Sequence, residues 1–141
     1  MSYQKSGNAY QTTSVLSTSR EQLVPLLYEH LLVSLRRASK QIQSGDIEGK
    51  AASVEKATAI LYELMGSLDF DADGELASRL ASLYTYFLKE LNEASCSLKA
   101  RRLDPLIEMV GSLHESWVEA VRIVSEQKRA EAVETSAGNT A

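Results

Sequence analysis

Apolar residues recur along most of the chain at steps of three and four residues, without sustained alternation of apolar and polar positions. Such steps place side chains on one face of an α-helix, whereas alternation is typical of a half-buried strand. The apolar stripes run from Leu23 to Ile42, from Ile47 to Leu68, from Leu76 to Ala94 and from Leu106 to Val124. The pattern therefore predicts an all-α protein with four helices.

Helix-breaking and capping residues separate these stripes. Gly45 is suited to end the first helix, and Asp46 is suited to cap the second. Asp104 and Pro105 precede the fourth stripe, where the missing N–H of proline costs no helical hydrogen bond. Because short connections make successive long helices antiparallel neighbours, we predict an antiparallel up-down-up-down four-helix bundle.

The two ends of the chain lack this pattern. Residues 1–18 are mostly polar, and we predict that they form a flexible, loosely ordered N-terminal arm. Residues 19–128 form the predicted helical bundle domain. Residues 129–141, which end in small and polar residues, are predicted to be a disordered C-terminal tail.

The start of the first helix is ambiguous. Ser19 and Gln22 resemble a capping box, which would start the helix at Arg20. Pro25 would then lie beyond the first turn, where it removes a backbone hydrogen bond. The helix therefore begins at Arg20 with a frayed or kinked first part, which we favour, or it begins near Val24.

The stretch "DFDADGELASRL" opens like a calcium-binding loop, with Asp69, Asp71 and Asp73 followed by Gly74. An EF-hand loop also needs a bidentate glutamate at its twelfth position, and that position is Leu80. We therefore interpret the aspartates as solvated residues of the loop between the second and third helices, with Gly74 making the turn and Leu80 belonging to the core of the third helix.

The sequence contains few residues in the patterns of metal, haem or catalytic sites. We therefore expect neither an enzyme nor a cofactor. Neither His30 nor His114 follows a glutamate at the spacing of a di-iron bundle, and the chain has no haem-attachment motif. Cys96 is the single cysteine, which excludes an internal disulfide. We therefore expect no metal site and no catalytic residues.

The overall charge and hydropathy narrow the class of partner. A net charge of −4 gives the chain no general attraction for nucleic acid or an anionic membrane. No apolar run approaches the roughly 18 residues that a membrane span requires, and the N-terminus lacks the apolar core of a signal peptide. We therefore expect a cytoplasmic protein that does not insert into a membrane.

The helices carry more apolar residues than one narrow stripe needs. Leu26 and Val33 fall on a flank of the first helix with His30 and Arg37, away from its main stripe. Further apolar residues lie beside the stripes of the second and third helices, among them Ile60, Leu64, Tyr84 and Leu88. These flanks either contact two neighbouring helices within the core or form grooves that accept apolar helices of another chain.

Several stretches resemble the flagellar secretion chaperone family, the FliS proteins, in their order and spacing. The resemblance covers roughly Tyr10 to Trp117, and the chain departs from the family pattern at Arg20 and Pro25. The stretches that carry it are "AYQ", "STSREQLVPLLYEHLL", "EKATAILYEL", "LDFDADGELA", "LYTYFLKELNEA" and "LHESW".

The resemblance implies a chaperone that binds the C-terminal segment of flagellin, prevents premature polymerisation and delivers it to the flagellar type III export gate. The client would lie as helices in apolar grooves, and contact with the membrane would be indirect. Tyr10 would act as a plug of the empty groove or as a contact with the export gate protein. The groove residues expected from the helical pattern and the resemblance are Leu26, Val33, Ile60, Leu64, Tyr84 and Leu88.

A self-assembling helical interaction module without a flagellin client is the alternative function. In that case the apolar flanks would join two copies of the chain. A homodimer of the client-free protein is also compatible with the chaperone, but its dimer would be lost when flagellin binds. Sensitivity of the dimer to flagellin therefore distinguishes the two functions.

Overall fold

The computed structural model describes residues 20–139, with side-chain environments for residues 22–138. Four α-helices follow one another, together with a single 3₁₀ turn at Ala100–Leu103, and this part of the chain contains no strand. The helices are α1 at Arg20–Ser44, α2 at Ile47–Gly66, α3 at Gly74–Ser97 and α4 at Asp104–Asn139. The all-α four-helix bundle predicted from the apolar stripes is confirmed.

The described chain divides into two compact units, one of residues 26–113 and the other of residues 20–25 with 114–139. The first unit has a core to which all four helices contribute. Its fully buried large side chains are Tyr28, Leu31, Leu35, Leu61, Leu64, Tyr84, Phe87, Leu91, Leu103, Leu106 and Val110. In the second unit, α4 continues through residues 114–139 and exposes Val118, Ile123 and Val133.

The structure confirms the predicted connection between α1 and α2, in which Gly45 ends α1 and Asp46 caps α2. Gly45 has a positive φ of 77°, a backbone conformation that glycine adopts without a steric penalty. The Asp46 carboxylate accepts a hydrogen bond from the Gly49 backbone N–H at 3.0 Å and so caps α2. These two residues reverse the chain within a few positions, and α2 therefore returns along α1.

The acidic connection between α2 and α3 is a capped loop. The Asp69 carboxylate accepts hydrogen bonds from the backbone N–H groups of Asp71 and Ala72, each at 3.1 Å. Asp73 caps α3 by accepting from the Leu76 N–H at 3.0 Å. Gly74 is the first residue of α3, so the expectation that it makes the turn is wrong.

The structure shows where α1 begins and how far α4 continues. Helix α1 begins at Arg20 and contains Pro25, so the start near Val24 is excluded. Helix α4 continues to Asn139, beyond residue 128, and residues 126–138 are exposed along it. The division of the chain into an arm, a bundle domain and a tail remains a prediction. Within the described part, no helix combines the length and apolar character of a membrane span.

Candidate functional site

Helix α1 has two contrasting faces. Tyr28, Leu31, Leu35 and Ala38 are fully buried and follow one another at steps of three and four residues. On the opposite side Leu26, His30, Val33 and Arg37 are all exposed, again at such steps. We call these four exposed residues the α1 row. The arrangement explains why the first helix carries more leucine and valine than one core face requires.

The α1 row presents two large apolar side chains to solvent. Leu26 is 47% exposed and Val33 is 42% exposed. Seven residues separate them, so they lie on the same side of the helix about 10 Å apart along its axis. Both were predicted as groove residues, and both are accessible to a partner.

Three of the other predicted groove residues lie in the interior. Ile60 and Leu64 belong to the buried face of α2, and Tyr84 belongs to the buried face of α3. Leu88 on α3 is half-buried. The structure therefore does not bring the predicted residues together on one open surface. Tyr10 lies outside the described residues, and its role remains a prediction.

Tyr84 is held in the core by aromatic and polar contacts. Its hydroxyl is hydrogen bonded to the hydroxyl of Tyr28, and the centroids of the two rings are 6.4 Å apart. Its ring also packs at 6.4 Å from the ring of Phe87. Burial, followed by the hydrogen bond with Tyr28, raises the pKa of Tyr84 well above its usual range. Tyr84 is thus a neutral, packed core residue when no client is bound.

The helical spacing of Tyr84, Ile60 and Leu64 relative to other buried residues could have indicated that they are buried. Tyr84 lies four residues after Leu80 and three before Phe87, both of which are buried. Ile60 and Leu64 likewise follow the buried Ala57 at steps of three and four. Periodicity alone could not distinguish these buried positions from exposed ones. It gives the direction of a side chain around its own helix but does not show whether another helix covers that side.

A small polar groove of about 360 Å³ lies between α1 and α2. We call it the α1–α2 groove. Its α1 side consists of Ser34, Arg37 and Gln41, and its α2 side consists of Gly49, Ala52, Ser53 and Lys56. The sequence analysis did not identify this groove. The available signal was Gly49 in the first turn of α2, a position where glycine lowers helix stability unless close packing requires it.

Gln41 joins the two sides of the groove. Its amide nitrogen lies 2.9 Å from the Gly49 carbonyl oxygen, 2.7 Å from Ser53 Oγ and 3.0 Å from the Arg37 carbonyl oxygen, and its two hydrogens are shared among these three acceptors. We assign this orientation because the opposite one would point the amide oxygen at two carbonyl oxygens. A Cβ at residue 49 would overlap the Asp46 carboxylate and lie 2.7 Å from the Gln41 amide. Glycine therefore permits the close approach of the two helices.

The described side chains offer binding surfaces and little reactive chemistry. Residues 22–138 contain no group of three acidic, histidine or cysteine side chains that could hold a metal ion. Cys96 is exposed, and its sulfur lies 3.9 Å from the Asn92 side-chain oxygen. The exposed Leu26 and Val33, which lie beside the α1–α2 groove, are suited to binding a helix of another chain.

Known proteins resemble this chain over most of its length. The family model "Flagellar protein FliS" matches residues 3–124. The flagellar secretion chaperone FliS of Campylobacter jejuni is 34% identical over 112 residues, which cover 79% of this chain and 88% of that protein. The FliS chaperone of Escherichia coli K12 is 30% identical over 77% of this chain and 81% of its own length.

A more distant relative covers still more of the chain. The flagellar secretion chaperone FliS of Bacillus subtilis is 28% identical over 128 residues, or 91% of this chain and 93% of that protein. All three relatives are named as chaperones and not as enzymes. The family match covers α1, α2, α3 and residues 104–124 of α4, and it includes both sides of the α1–α2 groove. The chain therefore belongs to the FliS family of flagellar secretion chaperones.

Proposed function

We propose that this chaperone binds the C-terminal segment of a flagellin in the bacterial cytosol and holds it as helices on the bundle surface. The bound segment would be withheld from filament assembly, because the apolar faces that join flagellin subunits would be covered. The chaperone would then deliver its client to the flagellar type III export gate. Membership of the secretion chaperone family supports the general role, and the surface of α1 supports the mode of binding.

The observation that carries this proposal is the exposure of Leu26 and Val33 on the α1 row. An amphipathic helix recognises a partner through apolar residues at steps of three, four and seven, and the α1 row offers a matching surface. First contact with the client is therefore assigned to Leu26 and Val33. The buried Ile60, Leu64 and Tyr84 would reach a client only if the bundle rearranged.

The free energy available from burying Leu26 and Val33 is too small for binding, so the client must cover more than the α1 row. Complete burial of a leucine or valine side chain contributes about 1.5–3 kcal/mol, so covering two half-exposed side chains contributes roughly 2 kcal/mol in total. Ordering a disordered segment costs about 2–5 kcal/mol. Binding therefore requires additional apolar contacts, and Leu76, Tyr86 and the half-buried Leu88 on α3 offer such surface. A client that wraps over more than one helix meets this requirement.

The direct test is calorimetric titration of the full chain with the C-terminal segment of a flagellin from the same organism. We expect saturable binding with a large negative heat-capacity change, because apolar surface is buried and the segment folds. Far-ultraviolet circular dichroism of the mixture should show more helix than the sum of the two components. Absence of binding by a chain that circular dichroism shows to be folded would refute the proposed client.

Delivery and self-association are tested separately. Purified export gate protein should bind the chaperone–flagellin complex more tightly than it binds flagellin alone. Sedimentation velocity of the client-free chain measures whether exposed apolar surfaces pair two copies. A homodimer that flagellin dissociates agrees with the proposal, whereas a tight dimer indifferent to flagellin favours a self-assembling module.

A further inference from the structure

We propose that the α1–α2 groove binds a carboxylate carried by the client helix that lies along the α1 row. This inference rests on the proposed function and adds a polar anchor to it. The groove would determine the direction and register of the client, since an apolar row alone allows a helix to slide or reverse.

Two cations stand on opposite sides of the groove. Arg37 projects from α1 and Lys56 from α2, and both side chains are exposed. Neither forms an ion pair with another residue in the described range 20–139. Arginine and lysine that face the same small groove without an acidic partner favour an anionic group between them.

Two serine hydroxyls add hydrogen-bonding capacity. Ser34 lines the groove, is only 3% exposed and makes no hydrogen bond to the residues that the structure describes. Ser53 Oγ accepts a hydrogen bond from the Gln41 amide, so its own proton remains available to a ligand. A carboxylate oxygen in the groove could accept hydrogen bonds from both hydroxyls.

The groove is held in shape before any ligand arrives. The hydrogen bonds from the Gln41 amide to Gly49 and Ser53 connect α1 to α2, and Gly49 lets the helices approach at this level. The Asp46 carboxylate is already engaged, because its Oδ1 accepts from the Gly49 N–H as the cap of α2. A preformed set of donors reduces the entropy lost when an anion binds.

The groove continues the α1 row. Arg37 lies one helical turn after Val33, and Ser34 and Gln41 flank it on the side that faces α2. A client helix that covers Leu26 and Val33 therefore passes directly beside Arg37 and Lys56. The carboxylate would come from an aspartate or glutamate on the polar flank of that helix, or from its C-terminus.

The test measures flagellin-segment affinity for Arg37→Gln and Lys56→Gln in the full chain. Arg36→Gln is the matched control, because it removes the same charge from the neighbouring exposed position of α1, about 100° around the helix. We expect each groove variant to weaken binding about tenfold, with less than about threefold for the control. The dependence of affinity on salt should also become shallower for Arg37→Gln than for Arg36→Gln.

Two sets of client peptides identify the source of the carboxylate. If amidation of the C-terminus removes the effect of Arg37→Gln, the terminal carboxylate occupies the groove. If a single Asp→Asn or Glu→Gln change in the peptide removes it, that side chain occupies the groove. Either result supports the proposal, and circular dichroism melts verify that the chaperone variants remain folded.

Equal affinities of Arg37→Gln, Lys56→Gln and Arg36→Gln would overturn the carboxylate site while leaving flagellin binding intact. Persistence of the Arg37→Gln effect with every neutralised peptide would overturn it as well. Failure of the unmodified chain to bind the segment would overturn the proposed function and, with it, this inference. The two failures are therefore distinguishable.

Discussion

The hydroxyl groups of Tyr28 in α1 and Tyr84 in α3 are hydrogen bonded to each other inside the core of residues 26–113. Both side chains are almost inaccessible to solvent, with exposures of 0% and 1%. A buried hydroxyl must be hydrogen bonded to avoid a large desolvation penalty. The pair therefore couples two helices that are 56 residues apart in the sequence.

Tyr84→Phe should lower the free energy of unfolding by about 1–2 kcal/mol, because it removes a hydrogen-bond partner from the buried Tyr28 hydroxyl. Urea denaturation followed by circular dichroism measures the change. Tyr86→Phe is the matched control, since Tyr86 is 45% exposed and should change stability by less than about 0.5 kcal/mol.

The double variant Tyr28→Phe/Tyr84→Phe extends this measurement. Its loss of unfolding free energy should be smaller than the sum of the losses of the two single variants. The reason is that it removes both hydroxyl groups, whereas each single variant leaves one hydroxyl in the core without its partner. Strict additivity of the two single variants would show that the hydroxyls contribute independently.

Alkaline pH should destabilise the fold through Tyr84. Burial and the hydrogen bond with Tyr28 raise the pKa of Tyr84 in the folded chain above the ordinary value of 10.0. The unfolded chain therefore loses this proton first, so the stabilisation is complete below about pH 10 and declines as the pH rises further. Urea midpoints measured on both sides of pH 10 should fall more for the unmodified chain than for Tyr84→Phe. Identical pH dependence of the two proteins would contradict the assignment.

Gly49→Ala should destabilise the chain by roughly 1–3 kcal/mol, because its Cβ would overlap the Asp46 carboxylate that caps α2 and crowd the Gln41 amide. Gly111→Ala is the control. Gly111 lies inside α4, and a Cβ there meets nothing within 4 Å. That change should stabilise the chain by about 0.5–1 kcal/mol, since alanine favours helix. Thermal melts should move in opposite directions; a stabilising Gly49→Ala would contradict the close approach.

Val33→Glu should weaken binding of the flagellin segment by tenfold or more while leaving the melting temperature within a few degrees, because Val33 is already 42% exposed. Phe70→Glu is the matched control. Phe70 is 54% exposed in the loop between α2 and α3 and does not belong to the α1 row, so its replacement should leave affinity nearly unchanged. Equal losses for both variants would indicate general charge repulsion and would exclude Val33 as a specific contact.

The C-terminal part of α4 contains an exposed cluster whose titration is testable. Arg122 donates from Nε to Glu119 Oε2 at 3.1 Å and from Nη1 to Glu126 Oε1 at 2.6 Å. The hydrogen bond from Arg122 lowers the pKa of Glu119 below its ordinary value of 4.5. Carboxyl NMR titration should show this pKa rise in Arg122→Gln but not in the control Arg129→Gln.

The sign of the corresponding stability effect follows from that shift. A lowered carboxyl pKa contributes helix stability above the ordinary value of 4.5, and the contribution is lost as the pH falls through the lowered pKa. Added salt should reduce the shift because the side chains are exposed. A Glu119 pKa that does not respond to Arg122→Gln would show that the contact is not maintained in solution.

The helices and the connections of this protein were predictable from local sequence. Gly45 and Asp46 occupy the roles their chemistry favours, and Leu80 is a buried residue of α3 and not part of a calcium loop. The turn role assigned to Gly74 was wrong, because Asp73 caps α3 one residue earlier. Local chemistry placed the start of α3 within one residue, whereas α4 continues to Asn139, beyond the predicted end of the bundle domain at residue 128.

The candidate site was only partly predictable. Leu26 and Val33 were recognised as flank residues because they lie opposite the buried face of the same helix, a relationship that periodicity contains. The helical spacing also placed Tyr84 near the core stripe of its helix. Its burial, however, depends on Tyr28, which belongs to another helix. Spacing along one helix cannot show which of its faces a second helix will cover.

The sequence by itself determined the four helices and the cap of α2 at Asp46, because each depends on residues within a few positions of one another. Only the tertiary structure decided that Tyr84 is interior and that Arg37 and Lys56 face one groove. Those relationships join residues on different helices, and packing between helices, not local propensity, determines which side chains meet.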